Sequence, residues 1–448
     1  MLKNMTEGSP LKLIIPFMVP LLIGNIFQQM YNIADIIIVG RTIGVSALAS
    51  VGAVAPAFML TLGITIGLSN GFTVITGQRY GAGDMDGMRR SVCTAIFLSC
   101  VFVLVIMALM HVIVDPVLAL MNVPAELLPD SKAYGMIIID GLVGMMGYNL
   151  VSGIMRSLGD SRTPLYFLIL ATILNVILAL AFILLLGWGV PGSAFALVIA
   201  QATSAILCVI YVYKHFPDLH LSRSDLRLDW PEIWAHLRMG LPMAVQFSVI
   251  GLGIIILQSV CNKFGAAQIA GFTASIRVEQ IAVQPMISFG ISIAVYTAQN
   301  FGARRFDRIR AGVRKCSLLS LGFAVFAALM IFFFGEEIIG IFLDNPGREV
   351  METAHMYIRY TVPCYFFFSQ IFIYRCACQG MGVSMIPMLA GTVELVMRSI
   401  AAVYLSEVLG FLGVCLAEPI SWVSCSVFVF ASYHYFVRLL ERKSQLAR

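Results

Sequence analysis

The chain has 448 residues, of which 59% are hydrophobic and only 12% charged, with a formal net charge of +5. A soluble domain carries about 25% charged residues, so a soluble globular protein is excluded and a polytopic membrane protein is expected. The small positive charge is no nucleic-acid signal, because its distribution among the loops has another explanation.

In chain order, twelve apolar segments read as membrane spans: 11–39, 46–76, 92–114, 132–158, 164–186, 192–213, 232–261, 268–298, 316–335, 353–379, 385–409 and 412–437. The fifth, "LYFLILATILNVILALAFILLL", holds 22 residues without a charge. As a helix it is long enough to cross a hydrocarbon core of roughly 30 Å. No segment alternates with period 2, so the spans are helices and the fold is all-α. The opening "MLKNMTEGSP" has no signal-peptide signature, and the apolar stretch after it runs too far. The ten cysteines are scattered, mostly in apolar stretches and without metal-ligand spacing, and are expected to be small packing residues.

Basic residues set the orientation. With the N-terminus inside, Arg79, Arg89, Arg90, Arg304, Arg305, Arg308, Arg310, Arg314, Lys315, Arg375, Arg438, Arg442 and Lys443 all fall on the inner side. Only Arg41, Lys132, Lys263, Arg348 and Arg359 fall outside. Both termini are therefore expected in the cytoplasm, across a cytoplasmic membrane.

A repeat is legible. "GQRYGAGDMDGMRRSV" (77–92) aligns with "AQNFGARRFDRIRAGV" (298–313) at an offset of 221 residues, and Gly159, Gly189 and Gly192 fall on Gly380, Gly410 and Gly413. Each half then has six spans. Six is even, so both halves enter the membrane from the same side, as two bundles related by a pseudo-two-fold axis along the membrane normal. The expected division is an N-terminal lobe (1–213), a polar cytoplasmic linker (214–231) and a C-terminal lobe (232–448). Two similar lobes suit alternating access.

Ionisable groups inside a span cost about 2.5–3.5 kcal/mol each and are functional candidates by default. The clearest here are Asp35, Arg277, Glu279, Glu394 and Arg398. Glu394 and Arg398, spaced i, i+4, share one helix face. Arg277 and Glu279, two apart, need partners from other helices. These four either hold the C-terminal bundle together or take part in transport. Asp35 differs, because its repeat counterpart is Ile256 and no basic residue within a turn or two is expected to pair with it, Arg41 being the first. A low-dielectric site favours its neutral form, so H⁺ loading or a bound Na⁺ is expected there. Asn175 could supply another ligand or make an interhelical hydrogen bond. Pro16 and Pro20, in the same helix as Asp35, can bend it. Gln28, Gln29, Tyr31, Asn32, Asn149, Gln201 and Gln246 are further cavity candidates, against ordinary helix packing. The 24 Met and 30 Phe residues offer adaptable apolar walls.

The stretches "PLLIGNIFQQMYNIADIIIVGR", "GQRYGAGD", "NLVSGIMRSLGDSRTP" and "GVPGSAFA" resemble the multidrug and toxic compound extrusion (MATE) transporters over nearly the whole chain. The resemblance implies cation-coupled export of organic, often cationic and aromatic, compounds through a V-shaped cavity between the lobes. It implies that Asp35 binds H⁺ or Na⁺, that Pro20 marks a bend accompanying protonation, and that Asn175 helps form the N-lobe site. Ala179 stands where some members have a second aspartate, Leu197 where some have a threonine, and the seventh span lacks an acid. Neither well-described ion site is complete, and the coupling ion stays open. "ASIRVEQ" and "VELVMRS" resemble a branch with charges in the C-lobe.

The alternative is a flippase or exporter of a lipid-linked or polysaccharide substrate from the related superfamily, whose cavities are often more basic. Only Arg277 and Arg398 could serve that purpose here. An enzyme is not expected, because the six His are scattered without HExxH or paired acids, and no GxxxxGK[ST] loop points to an ATP-driven pump. The expected partners are an organic small molecule and membrane lipid, with no nucleic acid. A monomer is expected, with no cofactor beyond the coupling ion.

Overall fold

A computed structural model describes residues 4–121, 123–222, 225–340 and 347–446. Among these residues the fold is all-helical, without strands. In the first half run α1 (Pro10–Thr42), α2 (Val45–Ala82), α3 (Met85–Leu120), α4 (Leu128–Asp140), α5 (Leu142–Ser157), α6 (Arg162–Leu180) and α7 (Gly189–His215). The second half comprises α8 (Trp230–Cys261), α9 (Ala266–Ala282), α10 (Gln284–Gly302), α11 (Phe306–Gly340), α12 (Arg348–Thr361), α13 (Tyr365–Gly380), α14 (Met385–Ile400), α15 (Ser406–Leu409) and α16 (Phe411–Leu446).

Nine of the described helices are long and apolar enough to cross a membrane, or up to eleven when the bent pairs α4–α5 (44°) and α9–α10 (41°) each count as one span. The span expected at 353–379 is the remaining one. It is interrupted by a 3₁₀ turn at Val362–Cys364, and its first part, α12, is short and polar. The breaks have local causes. Gly141 separates α4 from α5, and Pro285 opens α10, where proline suits the first turn of a helix but not its interior.

The repeat extends to backbone detail. Gly83 takes a left-handed conformation (φ 75°) after α2, and Arg304 takes the same conformation (φ 56°) at the matching place after α10. Arg304 is the one non-glycine residue with positive φ among those described. Gly189 (φ 59°) is matched by Gly410 (φ 61°). Each half carries a π-helical segment in its fifth span, at Ala181–Leu185 and Ala401–Leu405. Gly192 and Gly413 let the following helix approach these segments: a Cβ at Gly413 would lie 2.2 Å from the Leu405 carbonyl carbon.

The chain divides into two compact units, one built mainly of Val19–Ala244 and the other of Met5–Met18 with Val245–Arg448. Thus α1 changes unit between Pro16 and Pro20, and α8 changes unit two residues after Pro242. Met5 is held in the second unit: its N–H donates to Gln299 (2.8 Å) and its carbonyl accepts from Asn300 Nδ2 (3.0 Å). After α7, Phe216 and Leu219 join the apolar core around Leu68, Phe72 and Met88.

Helices in lipid gain little from apolar burial against one another, so close packing through small residues does more of the work. In the first unit, Gly71 of α2 meets Gly240 of α8 so closely that a Cβ would sit 2.5 Å from the opposing Cα. In the second, Gly380 of α13 lies against Thr297 and the Ala294 carbonyl of α10. Buried hydroxyls largely bond carbonyls of their own helices, as Ser69 does to Thr65 (2.9 Å) and Ser292 to Ser288 (2.7 Å).

Candidate functional site

In the first unit, α1 brings Tyr31 and Asp35 one turn apart onto one face. Asp35 is half-buried, and its Oδ1 is buried with no hydrogen-bond partner among the described residues. The Tyr31 hydroxyl is orphaned in the same way. Tyr31 and Tyr134 of α4 both lie in electrostatic range of the carboxylate, and Tyr134 is held edge-on by Phe58 at 6.2 Å. Asn175 of α6 is 1% exposed, and neither its amide oxygen nor its nitrogen has a hydrogen-bond partner. A crevice too tight to hold a water molecule is lined by Gln28, Tyr31, Ala171, Thr172, Asn175 and Gln201. Asp35 Oδ1, the Tyr31 hydroxyl and both amide atoms of Asn175 are thus buried and unbonded among the described residues, which is uncommon for buried polar groups.

Four of the sequence candidates therefore share one wall, and Tyr31 links that wall to Asp35. Other candidates lie elsewhere. Asn149 donates to the Met145 carbonyl of its own helix (2.9 Å). Gln246 belongs to the second unit, packed against Gly391 of α14. The Asn32 side chain lies outside the described residues. Through Pro16 and Pro20, α1 is helical without interruption.

The second unit buries a charge cluster. Arg398 is 3% exposed, and its Nη2 donates to Glu394 (2.6 Å) and to Glu418 of α16 (2.8 Å). Arg375 of α13 approaches Glu394 at 3.7 Å and stacks 4.6 Å from the Phe372 ring centroid. Glu279 accepts from the Tyr357 hydroxyl of α12 (3.1 Å) and lies in range of Glu418 and Arg398. Arg398 Nη1 points at Gly253 of α8, where a Cβ would lie 2.6 Å from it. Fully ionised, three glutamates face two arginines and one negative charge is left over.

Two expectations need correction. Arg375 is not an inner-surface charge: it is 5% exposed and ion-paired, because Glu394 lies within reach of the α13 side chain. Arg277 is outside the cluster, exposed and donating to Gln280 of its own helix (3.4 Å). Its position two residues from Glu279 turns it to another face. Arg375 and Glu418 were missed as cluster members, although both stand inside predicted spans and the rule for intramembrane charges covers them.

The family model MatE matches residues 20–181 and again 242–404, one match in each half and together well over half of the chain. Probable multidrug resistance protein YoeA of Bacillus subtilis (strain 168) is 27% identical over 96% of this chain and 94% of its own length. Probable multidrug resistance protein NorM of Thermotoga maritima is 26% identical, covering 84% and 82%. A crystal structure of MATE in the bent conformation superposes with a TM-score of 0.91 at 22% identity, covering 98% of both chains.

Proposed function

The chain belongs to the MatE family, and on that premise we propose that it is a cation-coupled antiporter exporting organic, cationic or amphipathic compounds across the cytoplasmic membrane by alternating access. The observation that carries this reading is the orphaned Asp35 oxygen, one helical turn from Tyr31, whose own orphaned hydroxyl belongs to the residue that shares a crevice with the unbonded Asn175. Such a carboxylate is tolerable when loaded with H⁺ or Na⁺ and demands water or a cationic partner when unloaded. Ion and substrate then exclude one another, which is the requirement for antiport. For Na⁺, Asp35 Oδ1, the Tyr31 hydroxyl and the Asn175 amide oxygen are the available oxygen donors; for H⁺, Asp35 alone suffices. The names of YoeA and NorM support a multidrug range of substrates.

The same reading places both termini in the cytoplasm, with the Arg-rich turns at 83–91 and 303–315 on that side. Ser91 is unsuitable for a labelling test, being fully buried and bonded to His236 and Thr76. Asp86, whose side chain is 78% exposed, is suitable. A cysteine at Asp86, in a chain otherwise free of cysteine, is expected to resist an impermeant thiol reagent in intact cells and to react in inverted vesicles. Labelling from outside would reverse the topology.

Coupling is tested by loading proteoliposomes with a fluorescent organic cation and imposing ΔpH or ΔNa⁺ separately. Substrate movement is expected with one gradient and not the other. Equal rates with either gradient and with none would refute antiport.

A further inference from the structure

Far from Asp35 in sequence, α11 and α12 enclose a space that transport as proposed does not use. The end of α11 reads "IFFFGEEIIG" and kinks at Phe334 (φ −119°, ψ 17°). The 14-residue α12 buries Thr353, Ala354, Tyr357 and Thr361. Its other face presents Glu352, His355, Met356, Arg359 and Tyr360, all exposed and at helical spacing.

Between the two helices lies a cavity of about 760 Å³ with an apolar part formed by Leu329, Phe332, Phe333 and Pro363. Its charged wall is Glu336, Glu337, His355 and Arg359. A second cavity of about 430 Å³ shares Glu336, His355 and Arg359 and is completed by Glu352 and Tyr360. His355 Nε2 lies 3.2 Å from Glu336 Oε1. Glu337 and Arg359 have neither a hydrogen bond nor an ion pair among the described residues. Phe332 and Phe333 are 78% and 68% exposed, so the apolar part opens sideways, where a spanning helix meets acyl chains.

We propose that these joined cavities form a binding site for a phospholipid with a primary-amine headgroup, in the leaflet on the side reached by the C-terminal end of α11. An acyl chain lies along Leu329, Phe332 and Phe333. The phosphate takes the Arg359 guanidinium, whose planar fork matches phosphate oxygens. The ammonium takes Glu336 and Glu337. The charge pattern selects the headgroup. A phosphate with no cation attached meets an acidic wall, and a quaternary choline cannot donate hydrogen bonds to the two carboxylates. The polar face of α12 places the headgroup at interfacial depth, as expected for a short amphipathic helix.

The test is native mass spectrometry of the purified full chain with dioleoyl phosphatidylethanolamine, phosphatidylcholine or phosphatidylglycerol added separately. Phosphatidylethanolamine is expected to be retained several-fold more than either of the others. Glu336→Gln with Glu337→Gln should abolish that preference, and Arg359→Gln should reduce phosphatidylethanolamine retention. Unchanged melting temperatures are expected, since these side chains are exposed, and make the losses attributable to binding. Equal retention of the three lipids, or a preference that survives both variants, overturns the proposal. So does a site without headgroup preference that takes tetraphenylphosphonium and loses it in the double variant, because the occupant is then an organic cation.

Discussion

The Asp35 site of the first unit and the Arg398 site of the second are partnered in opposite ways. In the first, Asp35 stands with an unbonded oxygen and, among the described residues, with Tyr31 and Tyr134 in electrostatic range. In the second, Arg398 is clamped by Glu394 and Glu418, with Arg375 and Tyr357 completing the ring of partners around three glutamates. Repeats that match down to paired π-segments and left-handed turns have diverged where the charges are. A paired charge resists change, because moving it breaks good contacts. A lone carboxylate has no such anchor, and its lowest-energy form depends on what ion or water arrives. With Asp35 as the proposed coupling carboxylate, this difference would put switching in the first unit and rigidity in the second.

Removing the clamp gives the largest expected effect on stability. Arg398→Ala leaves Glu394 and Glu418 buried together, and loss of one member of a buried pair costs about 3–5 kcal/mol. The purified variant should melt well below wild type or fail to accumulate. A variant of normal stability that no longer transports would move the cluster from scaffold to mechanism. Next comes packing around the same guanidinium. Gly253→Ala puts a methyl group against Arg398 Nη1, and overpacking of this kind costs about 1–3 kcal/mol. An unchanged melting temperature would mean that Arg398 has room to move and that the second unit is less rigid than argued. The smallest effect tests the repeat itself. Arg304 holds a left-handed conformation that its counterpart Gly83 adopts without strain. Arg304→Gly should stabilise by up to about 1 kcal/mol, the relief of strain exceeding glycine's entropy in the unfolded chain. Destabilisation would mean that the Arg304 side chain makes contacts worth more than the strain.

Much of this was legible in the sequence. Span-length apolar runs, Arg-rich turns and the 221-residue offset reflect lipid, membrane orientation and repetition, and each acts locally on the chain. The Glu394–Arg398 pair was legible because one helical turn is a local distance. Glu418 was not paired in advance, since its contact with Arg398 depends on how α16 packs on α14, which periodicity does not encode. Arg375 was misplaced for the same reason: near a span's end, a basic residue reads as a surface charge until a buried acid is known to face it. The broken α12–α13 span was read as one helix because its polar first half abuts a strongly apolar second half.

Under the proposed antiport, Asp35 changes its charge state during transport. The direct measurement is gradient-driven efflux by Asp35→Asn in proteoliposomes, beside the melting temperature of the purified variant. The amide is isosteric and permanently neutral, so the variant should fold at near wild-type stability and lose gradient-driven efflux. Efflux at the wild-type rate under the same gradient would contradict the account and move coupling to the glutamates of the second unit, Glu279 first among them.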